Sequence, residues 1–543
     1  MTPGPEHLII APILIPFFAG ALMLIYDERQ RRAKLAISLA AVLATLFAAI
    51  ELLMRSKGNE LNGFNDIGFY LLGDWASPYG IVLVIDRLSA MMLVLTGLLA
   101  LPALVYAAAG WHRQGQHFHS LFQFLLMGLS GAFLTGDLFN LFVFFEVTLA
   151  ASYALLLHGS GPVRVRAGLH YIAINLVASF LFLIGVSLIY GVTGTLNMAD
   201  LALRIASLPE EHRALLEAGT AILGIAFLVK AGMWPLCFWL PGAYAAAAAP
   251  VAAIFAVLTK VGVYALFRLS PLLLGTGAGS SAGLSDMLLF VGGLATIAFG
   301  MIGVLASQSI GRLAGFSVIV SSGTLLAAAG MADASVTAGA LFYMVSSTFT
   351  IGALFLLVEL VDRAQDPAAS VLAVTTEAFG DEETEEPEEV GIAIPATLAI
   401  LGICFGVCGA LLAGLPPLSG FVGKFALLSA VIGSGSDGQV SPKAWAFLGV
   451  LILSGLIAMI AMVRAGISIF WAPIETIVPR VRVIEFVPVA LLLGLCVAMT
   501  VEAGPLMRYT AAAARSLHAP AIYIDDVLKT PRVAPGESRG APQ

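Results

Sequence analysis

Four ionisable residues lie inside long apolar segments of this sequence, where a charge is costly and by default marks function. Glu146 follows five consecutive apolar residues at 141–145. Lys230 and Lys260 each lie about twelve residues into an apolar segment, which is about 18 Å along a helix and close to the middle of a bilayer. Lys424 lies in a further apolar segment, beside prolines and glycines. We expect these four side chains to carry the chemistry of the protein.

The chemistry that suits these residue types is proton transfer. A lysine in an apolar environment can alternate between its neutral and charged forms, and a nearby carboxylate favours the charged form. If Glu146 approaches Lys230, the lysine keeps its proton, and the proton leaves when the carboxylate withdraws. Lys230, Lys260 and Lys424 are then expected to form a polar row that relays protons through water. His170, near the inner end of its segment, is a candidate point of proton access, with a hydrogen-bonded interfacial histidine as the alternative.

Prolines beside two of the lysines predict broken helices. Proline lacks the backbone donor and clashes with the preceding turn, and backbone groups freed within a membrane must line a hydrated cavity. A charged residue at such a break is typical of an ion site in transporters. The predicted break points follow Lys230 and precede Lys424: they are Pro235, Pro241, Pro416 and Pro417.

These residues need elements that hold them at membrane depth, and the composition provides such elements. The 543 residues are 59% hydrophobic and only 11% charged, with mean hydropathy +0.96, whereas soluble chains are about 25% charged. We therefore predict an all-α polytopic membrane protein. The net charge of −7, without a basic tract or zinc-like spacing, argues against nucleic-acid binding. Cys404 and Cys408 share a helix face, but without a nearby histidine or carboxylate we interpret them as small core residues.

Fourteen transmembrane helices are predicted, and the twelfth is about twice the usual length. Arg and Lys are more frequent in the loops at one end, such as 29–34 and 480–482, which places both termini outside by the positive-inside rule. The predicted spans lie near 8–26, 33–54, 80–107, 118–136, 137–158, 167–190, 217–240, 248–268, 286–306, 312–331, 334–361, 392–433, 444–471 and 485–505.

The spans group into a predicted domain organisation. Residues 1–117 hold three helices, 118–270 and 286–471 each hold five, 485–505 is the last helix, and 507–543 is a polar tail. An odd set of helices inverts when it is repeated, so the two sets of five indicate inverted repeats with a broken seventh and twelfth helix. The acidic stretch within 362–391 is interpreted as a solvated cytoplasmic loop. Asp86 and Arg87 are expected to neutralise each other or snorkel, and Arg464 to snorkel.

Around Glu146 and the three lysines the sequence resembles a known family, the antiporter-like membrane subunits shared by respiratory complex I, membrane-bound hydrogenases and Mrp-type cation/proton antiporters. Within it, the chain looks most like the D subunits of Mrp antiporters. The resemblance covers nearly the whole chain, and its specific segments are 144–146, 230–235, 238–244, 258–264 and 414–421 with Lys424.

The resemblance implies a fourteen-helix fold with two inverted five-helix repeats and a Glu146–Lys230 pair. It also implies a connecting Lys260 and a terminal Lys424. The implied function is proton translocation within a hetero-oligomeric antiporter that exchanges Na⁺ or K⁺ for protons. The implied partners are the A, B, C, E, F and G subunits in a bacterial inner (cell) membrane, and no cofactor is implied.

The chain departs from the family at several positions where relatives carry histidine. At three such positions this chain has Cys237, Tyr244 and Ser321. The segment 343–348 also lacks a histidine or lysine that is common in relatives. These absences favour the Mrp type, and they predict that water bridges Lys260 and Lys424. A proton-pumping subunit of an electron-transferring complex is the main alternative, and a stand-alone transporter is a third. We expect no enzyme, because no nucleotide-binding or hydrolase motif appears.

Overall fold

The computed structural model describes residues 5–57, 67–363, 396–433, 439–470 and 481–528, and helices account for nearly all of them. Nineteen α-helices and one two-stranded hairpin lie within these ranges. Most of the predicted acidic loop and the end of the predicted tail lie outside the described residues.

The N-terminal part combines three helices with the hairpin. Its elements are α1 (Ala11–Ile25), α2 (Arg31–Arg55), β1 (Gly68–Leu71), β2 (Val82–Ile85) and α3 (Arg87–Ala108). The strands are antiparallel, with Gly68 opposite Ile85. The predicted span 80–107 therefore began too early, because the branched residues of β2 pair as a strand. Asp86 then caps α3: its Oδ1 accepts from Ser89 N at 2.9 Å.

Two series of helices follow in the same order. The first comprises α4 (Phe118–Leu134), α5 (Leu138–Leu156), α6 (Pro162–Thr193), α7 (Met198–Ala206), α8 (Glu210–Ala231), α9 (Trp239–Ala246) and α10 (Ala249–Leu274). The second comprises α11 (Asp286–Ala306), α12 (Ile310–Ala329), α13 (Ala334–Asp362), α14 (Ala396–Ala413), α15 (Ser419–Gly433) and α16 (Pro442–Phe470). In both series a broken helix precedes the last long one. The inverted relation between the series stays a prediction.

The structure contains long apolar helices where the sequence predicts membrane spans. Among the described residues, eleven helices are long and apolar enough to span a membrane. The helices α1 and α4, and the broken pair α14 and α15, are apolar but shorter, and they coincide with the remaining predicted spans. The spans α10 and α13 are the most enclosed, with 94% and 89% of their most apolar windows buried. These two helices form the centre of the bundle.

Both predicted breaks are present. The helix α8 ends at Ala231, and Gly232 follows with φ of +71°. The helix α14 ends at Ala413, and Gly414 follows with φ of +79°. Residues that carry a side chain rarely adopt this backbone angle.

The four prolines divide between the breaks and one helix. Pro235 lies in the first break, and Pro416 and Pro417 lie in the second. Pro241 is a correction, because it lies in the first turn of α9, where proline is tolerated.

The polar tail contains two helices that the sequence analysis did not predict. After α17 (Val483–Val501) come α18 (Ala503–His518) and α19 (Pro520–Leu528). Tyr509 of α18 donates to the carbonyl of Arg87 at 2.8 Å, which fixes the tail against the start of α3. Polar, amphipathic segments of this kind give no transmembrane signal, so their packing was not visible in the hydropathy.

A buried ion pair corrects the prediction for Asp86. Its carboxylate accepts from Arg268 at 2.6 and 2.8 Å, not from Arg87, and both partners are buried. The ring of Tyr523 lies against the same guanidinium, 5.4 Å from its carbon to the ring centroid. Arg268 is the last residue of the predicted span 248–268, and it lies inside α10, which continues to Leu274.

Candidate functional site

Lys230 lies in the last turn of α8, immediately before the first break. Its Nζ is 5.2 Å from the ring centroid of Phe145 on α5. The side chain lines a small cavity together with Thr148, Asn175 and Tyr244. Because the helix stops one residue later, the lysine is presented to this cavity from the end of a helix.

Glu146 is one residue beyond Phe145, but its carboxylate is held by another group. Ser179 of α6 donates a short hydrogen bond to Glu146 Oε1 and also donates to the carbonyl of Asn175 at 3.1 Å. No ion pair joins Glu146 to Lys230 within the part of the chain that the structure describes. The two side chains lie around Phe145 on adjoining helices, so their direct pairing requires a rearrangement of one of them.

Lys260 is fully buried at the centre of the bundle, on α10. Its Nζ donates to Ser321 Oγ of α12 at 2.7 Å, and Ser321 donates to Ser347 Oγ of α13 at 2.9 Å. We refer to Ser321 and Ser347 as the hydroxyl bridge. It connects three helices through one continuous set of hydrogen bonds.

Lys424 lies at the second break, on α15. Its Nζ donates to the carbonyls of Leu412 and Ala413 at 2.8 and 3.1 Å. These are carbonyls of the last turn of α14, which have no intrahelical partner because the helix ends there. The broken helix thus positions the lysine, and this explains why a charged side chain accompanies the break.

The hydroxyl bridge opens into the cavity that holds Lys424. This cavity is lined by Ser321, Ser347 and Lys424, with Ser346 and Ser454 adding further hydroxyl groups. Where the sequence predicted a gap bridged by water alone, two serine side chains lead from Lys260 to the cavity.

His170 lines neither of these two cavities. It is exposed on α6, and its Nδ1 is 3.0 Å from the carbonyl of Arg166. This contact matches the alternative of a hydrogen-bonded interfacial histidine. Arg464 is likewise exposed and donates to the carbonyls of Leu305 and Ser307.

Sequence reasoning missed the serines of the site. Ser179, Ser321 and Ser347 are neutral, and hydroxyl residues are common wherever membrane helices pack closely. The available signal was the polar run 346–348 within an otherwise apolar span. No cluster of three His, Cys, Asp or Glu residues that could hold a metal ion occurs in the described ranges, and the four cysteines are free and buried.

A helical bundle with buried lysines at two broken helices defines the class of polytopic ion-transport proteins. The chain belongs to the family described as NADH:quinone oxidoreductase/Mrp antiporter, transmembrane, which matches residues 135–442.

The relatives cover almost the whole chain. The chain is 59% identical over 536 residues to a Rhizobium meliloti (strain 1021) protein named as the D subunit of a probable K⁺/H⁺ antiporter, covering 98% of this chain and 99% of that protein. It is 33% identical over 530 residues to the D subunit of the Na⁺/H⁺ antiporter of Bacillus subtilis (strain 168), covering 96% and 100%.

Solved structures agree with this assignment. A chain in the structure of the Mrp complex from Dietzia sp. DQ12-45-1b matches with a TM-score of 0.81 and 25% identity, covering 97% of this chain and 100% of that one. A chain of respiratory complex I from Thermus thermophilus matches with a TM-score of 0.72 and 22% identity, covering 96% and 99%. The second likeness concerns the fold alone.

Proposed function

We propose that this chain is the D-type subunit of a multisubunit Mrp antiporter, which exchanges Na⁺ or K⁺ for protons, and that it carries a proton path. The relatives named as D subunits of K⁺/H⁺ and Na⁺/H⁺ antiporters support the subunit assignment. The observation that carries the proton path is the contact from Lys260 through Ser321 and Ser347 into the cavity of Lys424.

The proposed path has three stations. Lys424 exchanges a proton with water in its cavity, the hydroxyl bridge passes it to or from Lys260, and Lys230 exchanges it with the cavity beside Glu146. A lysine can change its protonation state where a nearby charge or hydrogen bond changes with conformation. Release of Glu146 from Ser179 would let the carboxylate turn towards Lys230 and hold that lysine charged.

The chain then works as one part of a larger assembly. We infer that the A, B, C, E, F and G subunits complete the antiporter in a bacterial cell membrane, with both termini of this chain outside. The driving force is the proton gradient, and the protein is a transport subunit with no reaction chemistry of its own. A redox-driven pump is the competing function, because complex I shares the fold.

Everted membrane vesicles test this function. The vesicles contain the chain with its co-encoded partners, and ATP is added to generate a pH gradient. The gradient is then followed after Na⁺ or K⁺ is added. We expect cation-dependent collapse of the gradient, and we expect Lys230→Ala to abolish it while the complex still assembles. The absence of a response from a fully assembled, unaltered complex would shift the assignment to the redox-driven pump.

A further inference from the structure

A third cavity lies at one end of the bundle, away from the three lysines. It opens where α10 ends and where α11 and α13 begin. We refer to it as the outer vestibule, since the predicted orientation places this end outside. It is lined by Ser270 of α10, Asp286 of α11, Thr337 of α13 and His518 of α18.

Two titratable side chains share this vestibule. His518 Nε2 and Thr337 Oγ1 are 3.0 Å apart, which holds the imidazole at the wall of the cavity. Burial lowers the pKa of His518, and the carboxylates of Asp333 and Asp286 oppose this change.

Among the described residues, Asp333 and Lys443 are the further charged groups that act on this pair. Asp333 caps α13 by accepting from the backbone of Ser335 and Val336. Lys443 of α16 acts on Asp286 electrostatically. A carboxylate and an imidazole in a water-accessible cavity are the side chains that exchange protons most readily near neutral pH.

The vestibule is aligned with the hydroxyl bridge. The helices α10, α12 and α13, which carry Lys260, Ser321 and Ser347, all continue to the vestibule. Along each helix the distance from Lys260, Ser321 or Ser347 to the lining residue is about 12–15 Å, at 1.5 Å per residue. On α10 the route begins with Ser270, whose Oγ lies 2.8 Å from Ser285 Oγ, next to Asp286.

We propose that the outer vestibule is the external proton-exchange site of this subunit, in which Asp286 and His518 take up protons from the outside water. The protonated side chain passes its proton to water in the vestibule. The proton then moves between α10, α12 and α13 towards Lys260. Only a proton is transferred, and no electron or other group moves. The inference rests on the proposed antiport function and adds to it the route to the external surface.

The experiment varies the external pH at constant internal pH, in right-side-out vesicles that contain the assembled complex. The double variant Asp286→Asn with His518→Gln is expected to need an external pH about one unit lower for half-maximal exchange. Its dependence on internal pH should not change. The matched control is Glu211→Gln with His212→Gln, an exposed carboxylate–imidazole pair 3.6 Å apart at the start of α8.

The outcomes separate this proposal from the proposed function. An unchanged external-pH profile in a double variant of normal abundance would overturn the vestibule proposal and leave antiport intact. No cation–proton exchange in the unaltered complex would overturn both.

A second experiment remains informative if the double variant does not assemble. Ala282 is an exposed residue of the vestibule lining, and the four native cysteines are buried. A membrane-impermeant thiol reagent added to Ala282→Cys should block exchange from outside, and the same reagent should leave Ser207→Cys, exposed after α7, active. Complete labelling of Ala282→Cys without loss of exchange would refute the proposal.

Discussion

At the scale of single residues, the three lysines of the site differ in the group that each ammonium contacts. Lys260 donates to a hydroxyl, Lys424 donates to backbone carbonyls, and Lys230 lies against an aromatic ring. A buried charged group that loses its partner bears the full cost of desolvation. The three lysines should therefore respond differently to removal of their neighbours.

Ser321→Ala is expected to slow exchange by about tenfold or more, because a hydrogen bond to a charged group contributes about 1.5–3 kcal/mol. Ser321→Thr keeps the hydroxyl and should retain most of the rate. The control is Thr324→Val, which removes a buried hydroxyl of the same helix that donates to the Val320 carbonyl. Initial exchange rates in vesicles decide the matter, and equal rates for the Ala and Thr variants would exclude the hydroxyl bridge.

At the scale of elements, Gly414 matters to the second break in two ways, through its backbone angle and through its close contact with Lys424. Gly414 has a positive φ, and a Cβ there would lie 2.6 Å from Lys424 Cδ. The backbone conformation and the lysine position are thus linked, and both depend on the absence of a side chain.

Gly414→Ala should displace Lys424 and strain the turn, at a cost of about 1 kcal/mol or more. We expect exchange to be lost while the complex still assembles. Gly406→Ala, within the preceding helix α14, is the control, since nothing lies within 4 Å of its added Cβ. Parallel measurements of exchange and thermal stability test this, and identical behaviour of the two variants would contradict it.

The sequence predicted the elements better than their partners. Hydropathy located the crossings and proline located the breaks, because both signals are local. The bond from Lys260 to Ser321 joins residues 61 positions apart, and that from Arg268 to Asp86 joins residues 182 positions apart. Such pairings depend on how helices pack, which the periodicity of one segment does not specify. The hairpin and the helices of the tail were missed for a related reason, since neither is apolar for the length of a span.

At the scale of the whole molecule, a buried ion pair fastens the N-terminal helices, the first series and the tail together. Asp86 precedes α3, Arg268 lies in α10 and Tyr523 lies in α19. Because the pair is buried and bidentate, its removal leaves one charge without a partner.

Arg268→Ala is expected to destabilise the protein by about 3–5 kcal/mol. Arg268→Lys should rescue it only in part, because an ammonium group cannot form the bidentate contact. The partly exposed pair of Arg204 and Asp200 is the control, and Arg204→Ala should cost less than about 1 kcal/mol. Thermal unfolding of the purified complex measures the difference, and equal melting temperatures for Arg268→Ala and Arg204→Ala would refute the role of the buried pair.

The two serines of the hydroxyl bridge also limit how protons could follow one another along the proposed path. A hydroxyl group that receives a proton on one side and gives one up on the other ends with its O–H bond reversed. Ser321 and Ser347 must both rotate back before a second proton can follow in the same direction. On the proposed path the bridge therefore passes one proton at a time, because each further transfer in the same direction waits for both hydroxyl groups to rotate.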